Sequence, residues 1–163
     1  MFGKLKSVLG IKNKILEIMS PMDGAVIPVT ESKDPTFCEE MLGKGVAIIP
    51  TGNRVSSPID GKVDLMFDTL HAVSLVSEDG IEILIHIGMD TVKLKGKHYT
   101  AKVKSGNAVK IGDTLIEFDR EAIANEGYDL TTPVVICNPD KYKIKSNTHQ
   151  NINTGEPLII LEM

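Results

Sequence analysis

The sequence has few of the residues that mark nucleic-acid-binding, secreted or membrane-spanning proteins. It has no tryptophan, three tyrosines and four phenylalanines among 163 residues, which excludes an aromatic platform for stacking bases. Its net charge is −4, and a chain without a basic excess is a poor binder of nucleic acid. No apolar run approaches the roughly 20 residues that cross a bilayer. Cys38 and Cys137 form neither a CxxC pair nor a metal-spaced cluster, which indicates a reducing, cytoplasmic location.

The first 14 residues differ from the rest of the chain. Lysines interrupt every apolar run there, which excludes a signal peptide, while Phe2, Leu5, Val8 and Leu9 recur at helical spacing. We interpret residues 1–14 as a flexible segment or a weak amphipathic helix at a membrane surface. The remainder, residues 15–163, has the length of one domain and is predicted to form a single domain.

This domain is predicted to be all-β. Short apolar segments recur between Gly, Pro, Asp and Asn residues, as is typical of an antiparallel sandwich or barrel. The segments are residues 45–49, 73–76, 81–87, 115–118, 134–137 and 158–161. Two short helices are expected among them. Asp34 and Pro35 form a typical helix start with Gly43 as its end, and Asp119–Asn125 is followed by Gly127.

Two short motifs each occur twice. SPMDGAV at residues 20–26 returns as SPIDGKV at 57–63, and VxxGDxLI at 109–116 is similar to IxxGExLI at 152–159. Each motif places a tight turn before an apolar strand. The pattern predicts a sheet built from related halves, although two copies are too few for a repeat array.

A predicted hairpin brings two of the four histidines together. The turn Asp79-Gly80 lies between two apolar segments and is a strong signal for a two-residue loop. Such a loop pairs Glu78 with Ile81, and in that register His71 and His86 are diagonal neighbours on one face. A shift of one residue would place the histidines on opposite faces. The other face is expected to form the core, with Ala72, Ser74, Val76, Ile81, Ile83, Ile85 and Ile87.

Two neighbouring imidazoles are compatible with three kinds of site. Both can be ordinary surface residues without a chemical role. They can bind a metal ion, with His86 and Asp90 in an HxxxD spacing. Alternatively, one ring can act as a nucleophile while the other holds its tautomer or stabilises charge. The residues alone leave all three open.

The segments TLHA at 69–72 and GIEILIHIGMDTV at 80–92 carry a resemblance to a known family. Further matching segments, in the same order along the chain, are SPMDG, PTGN, SPIDG, GDTLI and TPVVI. From about residue 15 to its end, the chain resembles the glucose-type enzyme IIA of the bacterial phosphoenolpyruvate:sugar phosphotransferase system. The resemblance implies a compact antiparallel β-sandwich with a duplicated motif.

The resemblance also implies that the chain is a phosphohistidine carrier. His86 would accept a phosphoryl group from phospho-HPr and pass it to an enzyme IIB domain of a sugar permease, while His71 assists the onward transfer. Thr69 would orient the two rings. No cofactor is required, but His71 and His86 with a partner carboxylate are a candidate zinc site. Regulatory targets are a further class of partner, and the sugar is not specified.

Partners of this family dock on an apolar ring around the reactive histidine, and the resemblance transfers this ring to the present chain. The residues that map to it are Phe37, Met41, Leu42, Phe67, Leu84 and Val92. Among them we expect Phe37, on the short helix, to be exposed, and Met41 and Phe67 to lie in the core. Asp34 and Asp90 would border the ring and attract basic partner surfaces.

Three other classes of function were compared with the sequence, and two of them need residues that it lacks. A zinc-dependent hydrolase on a related fold would use His86 and Asp90, but it also needs a His-x-His element, which this sequence lacks. A biotinyl or lipoyl carrier needs a lysine at a hairpin tip, which neither glycine turn supplies. A regulatory binding module that docks on other proteins is the remaining alternative.

Overall fold

A computed structural model describes residues 14–163. The predicted amphipathic or flexible segment therefore lies outside the described residues, apart from Lys14. The ammonium group of Lys14 pairs with the carboxylate of Asp79 at 2.5 Å, so the start of the domain is tied to the loop of the predicted hairpin.

The described residues form short strands with two short α-helices. In chain order the strands are β1 Ile15–Met19, β2 Gly24–Pro28, β3 Lys44–Pro50, β4 Arg54–Ser56, β5 Gly61–Met66, β6 Ala72–Ser77, β7 Glu82–His86, β8 Tyr99–Ala101, β9 Ala108–Val109, β10 Thr114–Phe118, β11 Thr132–Ile136, β12 Lys143–Ser146, β13 Gln150–Ile152 and β14 Pro157–Glu162. The helices are α1 Pro35–Cys38 and α2 Arg120–Asn125, and 3₁₀ turns occur at Val29–Glu31, Thr91–Leu94 and Pro139–Lys141.

The strands pair into three antiparallel sheets. The largest has eight strands in the order β13-β2-β3-β11-β7-β6-β5-β9, and the two smaller sheets have the orders β1-β14-β12 and β4-β10-β8. Every described pairing between strands is antiparallel. The predicted all-β sandwich with short helices is confirmed. The pair β7 and β6 lies in the interior of the large sheet.

Both helices begin where the sequence predicts. Asp34 caps α1 by accepting the N–H of Thr36 at 2.9 Å, and Asp119 caps α2 in the same way. Helix α1 is shorter than expected, because it ends at Cys38 and Glu40 then takes a φ of +57°, which a continuing helix does not allow.

The predicted duplication is confirmed by matching contacts. Ser20 and Ser57 occupy equivalent positions, and each hydroxyl donates to the carbonyl two residues further on at 2.7 Å. The carbonyl of each serine also accepts the N–H of a turn glycine, Gly155 in one case and Gly112 in the other, both at 3.0 Å. The two copies therefore stabilise their turns by the same set of hydrogen bonds.

The buried apolar residues form two separate clusters. The larger one is the core between the sheets and is mostly aliphatic, as the composition predicts. The smaller one comprises Val29, Phe37, Ala72, Leu84, Met89 and Val135, with Phe67 packed against it. Strands β6 and β7 contribute to both clusters because alternate residues of a strand point to opposite faces. The candidate site lies on the face of the smaller cluster.

Candidate functional site

His71 and His86 lie together on this face. His86 is the last residue of β7, and His71 immediately precedes the neighbouring strand β6. Their ring centroids are 4.8 Å apart, and the ring planes are nearly perpendicular, at 87°. The two rings are close to each other, as the sequence predicts, but β6 and β7 do not pair in the predicted register.

The hairpin loop has three residues, not two as predicted. The N–H of Ser77 donates to the carbonyl of Ile81 at 2.9 Å, and residues 78–80 lie between them. Gly80 has a φ of +85°, the left-handed conformation that closes three-residue hairpin loops. The extra loop residue shifts the pairing of β6 with β7 by one position.

The shifted register exchanges the two faces of β6, whereas Ile81, Ile83, Ile85 and Ile87 lie in the main core as predicted. His86 is paired with Ala72 rather than with Val73, and Val73 lies in the main core. His71 still reaches His86 because it precedes the regular strand. It follows Leu70, whose φ of +58° interrupts the alternation of side chains. The residues wrongly expected in the main core are Ala72, Ser74 and Val76.

The hydrogen bond of His86 determines which of its nitrogens is free. Nδ1 lies 2.8 Å from the carbonyl oxygen of Gly88. A carbonyl can only accept, so Nδ1 carries the proton and the neutral ring keeps its lone pair on Nε2. Gly88 has a φ of +85°, and a Cβ atom there would lie 2.6 Å from Cγ2 of Thr91. Glycine is required at this position to present the carbonyl to the ring.

Thr69 orients the second ring. Its Oγ1 lies 2.6 Å from Nδ1 of His71, so Nδ1 is engaged in both histidines. The His71 side chain is buried, whereas that of His86 is partly exposed. The ring of His71 also contacts Phe67, edge to face, at a centroid distance of 5.8 Å.

Burial keeps both imidazoles neutral. The pKa of His71 is lowered to about 4, chiefly by burial and also by the neighbouring His86, against the opposing effect of a hydrogen bond with the backbone of Thr69. Burial also lowers the pKa of His86, against the opposing effects of the Gly88 hydrogen bond and of the carboxylates of Asp34 and Asp90. A neutral imidazole is the form that can act as a nucleophile.

Phe37 is buried and not exposed as predicted. Only 2% of its surface is accessible, and its ring lies 4.9 Å from that of His86. The short helix α1 turns this side chain inward, where it packs with Leu84 in the smaller cluster. Phe37 and Leu84 therefore form the floor around His86 and expose little surface to a partner.

Three exposed apolar residues lie close along the chain to elements of the site: Met41 and Leu42 follow α1, and Val92 follows Asp90. Met41 is 69% exposed, which corrects the expectation that it lies in the core, and Leu42 and Val92 are 44% and 49% exposed. Phe67 is partly buried against the smaller cluster, so it is neither fully in the core, as expected, nor fully exposed on the ring. We call Met41, Leu42 and Val92 the apolar rim. Exposed apolar residues that together form a patch are typical of protein-binding surfaces.

Two carboxylates act on His86 from neighbouring turns. Asp34 is both the predicted helix cap and close enough to raise the pKa of His86. Asp90 is exposed, has a φ of +59° and acts on His86 in the same direction. Both predicted acidic residues are thus at the site.

The carbonyl of Gly88 is the part of the site that the sequence did not reveal. A backbone acceptor has no side-chain signature, and its direction depends on a φ value that sequence patterns do not report. The only available signal was a glycine two residues after a histidine.

The residues described, 14–163, include no group of three or more His, Cys, Asp or Glu side chains arranged to hold a metal ion. His71 and His86 are two ligands, whereas zinc sites in proteins use three or four. In the same part of the chain, no helix is long and apolar enough to cross a membrane.

Comparison with known proteins identifies the family. Residues 16–142 match the family model described as phosphoenolpyruvate-dependent sugar phosphotransferase system, EIIA 1. The chain is 42% identical over 161 residues to a glucose-specific EIIA component of Staphylococcus epidermidis, covering 98% of this chain and 95% of the relative. It is 40% identical over 161 residues to a glucose-specific EIIA component of Oceanobacillus iheyensis, covering 98% of each chain.

A solved structure and a longer relative agree with this result. The fold is similar to that of glucose permease IIA from Mycoplasma capricolum, with a TM-score of 0.85, 33% identity, and coverage of 90% of this chain and 96% of that one. A β-glucoside-specific EIIBCA component of Dickeya chrysanthemi is 47% identical over 126 residues, covering 77% of this chain and 20% of the relative. The chain belongs to the EIIA family of the phosphoenolpyruvate-dependent sugar phosphotransferase system and is a phosphocarrier of that system.

Proposed function

We propose that His86 is the residue that carries the phosphoryl group and that Nε2 is the acceptor atom. The observation that supports this most directly is the hydrogen bond from Nδ1 of His86 to the Gly88 carbonyl, at 2.8 Å. It holds the proton on Nδ1 and leaves the lone pair on Nε2 of a partly exposed ring. Phosphoryl transfer depends mainly on positioning and charge stabilisation, which this arrangement provides.

The transfer to His86 needs no proton to leave the site. The P–N bond of the donor phosphohistidine breaks while a new P–N bond forms at Nε2, and the donor ring departs with the electron pair of the broken bond. Nδ1 keeps its proton, so the phosphorylated ring is positively charged next to the phosphoryl group. The Gly88 carbonyl stabilises the charged N–H, because hydrogen bonds to ionised donors are the stronger ones. In the transfer onward, the P–N bond at Nε2 breaks while phosphorus forms a bond to the nucleophile of the acceptor. The electron pair of the broken bond returns to Nε2, which leaves the ring neutral again.

His71 is proposed to stabilise the transferring group, and Thr69 to set its tautomer. When the Thr69 hydroxyl donates to Nδ1 of His71, the proton of that ring is on Nε2 and can be donated to a phosphoryl oxygen. The low pKa of His71, about 4, means that the ring donates this hydrogen bond while it is neutral. His71 assists the transfer and is not itself phosphorylated.

The proposed donor is phospho-HPr and the proposed acceptor is an EIIB domain of a sugar permease. The family membership supports both, and the relative named as an EIIBCA component supports an EIIB acceptor in particular. The apolar rim would contact both partners, with Asp34 and Asp90 at the border, while Phe37 and Leu84 support His86 from below. A cytoplasmic location is proposed with these partners. The comparisons favour this function over a regulatory binding module or a zinc hydrolase.

Zinc binding stays a prediction. The two rings lie 4.8 Å apart, and Nδ1 is the hydrogen-bonded nitrogen in each. To bind an ion through Nε2, His71 would have to carry its ring proton on Nδ1, with the Thr69 hydroxyl as acceptor. The two rings would then supply two imidazole ligands, and a partner carboxylate would have to supply a third. The carrier function does not require the ion.

The function is tested by intact-mass measurement after incubation with phosphoenolpyruvate, enzyme I and HPr. The wild type and His71→Gln should each gain one acid-labile phosphoryl group, and His86→Gln should gain none. In a second step with an EIIB domain, His71→Gln should release the group far more slowly than the wild type. A phosphoryl group on His86→Gln, or none on the wild type with active HPr, would overturn the proposal.

A further inference from the structure

The carbonyl of Ile87 accepts two side-chain hydroxyls in the turn that follows His86. Oγ1 of Thr91 donates to it at 2.7 Å, and the phenol of Tyr99 donates to it at 2.9 Å. A carbonyl has two lone pairs, so this acceptor is fully occupied. Thr91 has no accessible surface and Tyr99 has 6%. Both hydroxyls are hydrogen-bonded to this backbone oxygen, and neither has a part in the transfer described above.

The two hydroxyls hold the backbone that carries the Gly88 carbonyl. Ile87 lies between His86 and Gly88, and its N–H donates to the carbonyl of His71 at 2.7 Å. The methyl group of Thr91 also packs closely on Gly88, because a Cβ atom added to Gly88 would lie only 2.6 Å from it. On the other side of Gly88, the N–H of Met89 donates to the carbonyl of Asp129 at 2.8 Å.

These contacts leave the Gly88 carbonyl little freedom to turn. The peptide before Gly88 is held by two hydroxyls at its oxygen, and the peptide after Gly88 is held at its N–H. The oxygen of this second peptide is the one that accepts Nδ1 of His86. Since glycine has wide conformational freedom, its carbonyl direction has to be set by such neighbours.

We propose that Tyr99 and Thr91 are positioning residues for phosphoryl transfer. By binding the Ile87 carbonyl they aim the Gly88 carbonyl at Nδ1 of His86, and so they keep the lone pair on Nε2. The inference depends on the proposed role of His86 as the phosphoryl acceptor. It assigns these two buried hydroxyls a role in the chemistry of the site rather than in stability alone.

Two features suit Tyr99 to this role. Burial raises its pKa to about 12, so the phenol remains a hydrogen-bond donor throughout the physiological range. Tyr99 also begins β8 and contacts Phe118 of β10 at a ring-centroid distance of 6.4 Å. The turn after His86 is thereby attached to a different sheet from the one that contains His86.

The test compares Tyr99→Phe and Thr91→Val with the wild type. Each variant removes one hydroxyl and keeps most of the side-chain volume, and circular dichroism establishes that each is folded. Nitrogen-15 NMR of the His86 ring reports which nitrogen carries the proton, and rapid-quench kinetics with phospho-HPr report the transfer rate. We expect a smaller Nδ1–H population and a rate lowered about three- to tenfold, as for one ordinary hydrogen bond, with an unchanged KM for phospho-HPr.

Two further variants separate positioning from stability. Thr91→Ser restores the hydroxyl and should recover both the tautomer and the rate. Tyr142→Phe removes the hydroxyl of a partly buried tyrosine that lies immediately before β12 and packs on the main core, and should change neither. A wild-type tautomer and rate in folded Tyr99→Phe and Thr91→Val would overturn the inference, as would a Thr91→Ser variant as slow as Thr91→Val. If the wild type itself gains no phosphoryl group, the proposed function fails, while the tautomer measurement still tests the positioning.

Discussion

The ring of Phe37 lies 4.9 Å from the ring of His86, with 54° between the two planes. Because Phe37 is 2% exposed, it removes water from one side of the imidazole. This contact connects the short helix α1 to the end of β7 and contributes to the burial that lowers the pKa of His86.

Replacing Phe37 by alanine should raise the pKa of His86 toward its ordinary value, because burial is the largest cause of the present shift. The free energy of unfolding should fall by about 3–5 kcal/mol, as for other large-to-small changes at buried aromatic residues. NMR titration and urea unfolding measure the two effects. Leu158→Ala in the main core is the control: it should destabilise the protein and leave the pKa of His86 unchanged. An unchanged pKa in Phe37→Ala would show that the phenylalanine does not desolvate the ring.

Replacing Gly88 by alanine should abolish phosphoryl uptake and reduce stability by about 2–4 kcal/mol. The residue has a φ of +85°, and the new Cβ would lie 2.6 Å from Thr91 and 3.1 Å from the carbonyl of Asp129. Gly112→Ala is the matched control, since Gly112 has a φ of +92° with nothing within 4 Å of the new atom. It should cost only about 1–2 kcal/mol, from backbone strain, and retain phosphoryl uptake. Equal effects of the two substitutions on uptake would contradict this account of Gly88.

The stability of the protein should decrease in mildly acidic solution because of His71. Its pKa is lowered from 6.5 to about 4 in the folded chain. Below about pH 6.5 the unfolded chain therefore binds a proton that the folded chain does not, so the free energy of unfolding falls as the pH falls toward 4. The lowered pKa of His86 acts in the same direction. Urea unfolding between pH 7 and pH 4.5 should show this loss, and a smaller one in His71→Gln; the same slope in both proteins would argue against it.

The apolar rim should affect partner binding and not stability. Met41→Ser and Val92→Ser replace side chains that are 69% and 49% exposed, so each should change the free energy of unfolding by no more than about 0.5 kcal/mol. Each should raise the KM for phospho-HPr about three- to tenfold, the usual effect of losing one moderate interface contact. Ile111→Ser, at a 43% exposed isoleucine in the turn before β10, should leave the KM unchanged. Equal KM values in all three variants would place the docking surface elsewhere.

Patterns of local sequence were sufficient for the elements of the fold. The alternation of apolar segments with turn residues predicts the strands, and Asp34 and Asp119 predict both helix starts, because a cap depends on residues within one turn of it. The repeated SPxDG segments predict related halves, and Ser20 and Ser57 make the same contacts in the structure. Each of these features depends on near neighbours in the chain.

Burial at the site could not be predicted in the same way. Phe37 and Met41 are four residues apart, yet the structure buries the first and exposes the second. A short helix places its residues on a surface, but which side chain faces inward depends on where the helix sits against the sheet. That placement involves contacts between Phe37 and residues of β7, which are distant in the sequence.

The sequence by itself determined the two histidines, the short apolar strands, the helix caps and the duplicated motif, because each depends on residue type or on near neighbours. The tertiary structure decided the chemistry of the site. A left-handed Gly80 shifts the hairpin by one residue, and a left-handed Leu70 returns His71 to the side of His86. The carbonyl of Gly88 then selects the nitrogen that is free to react. The direction of a backbone carbonyl and the register of a hairpin depend on dihedral angles and on contacts across the sheet, which residue patterns along the chain do not specify.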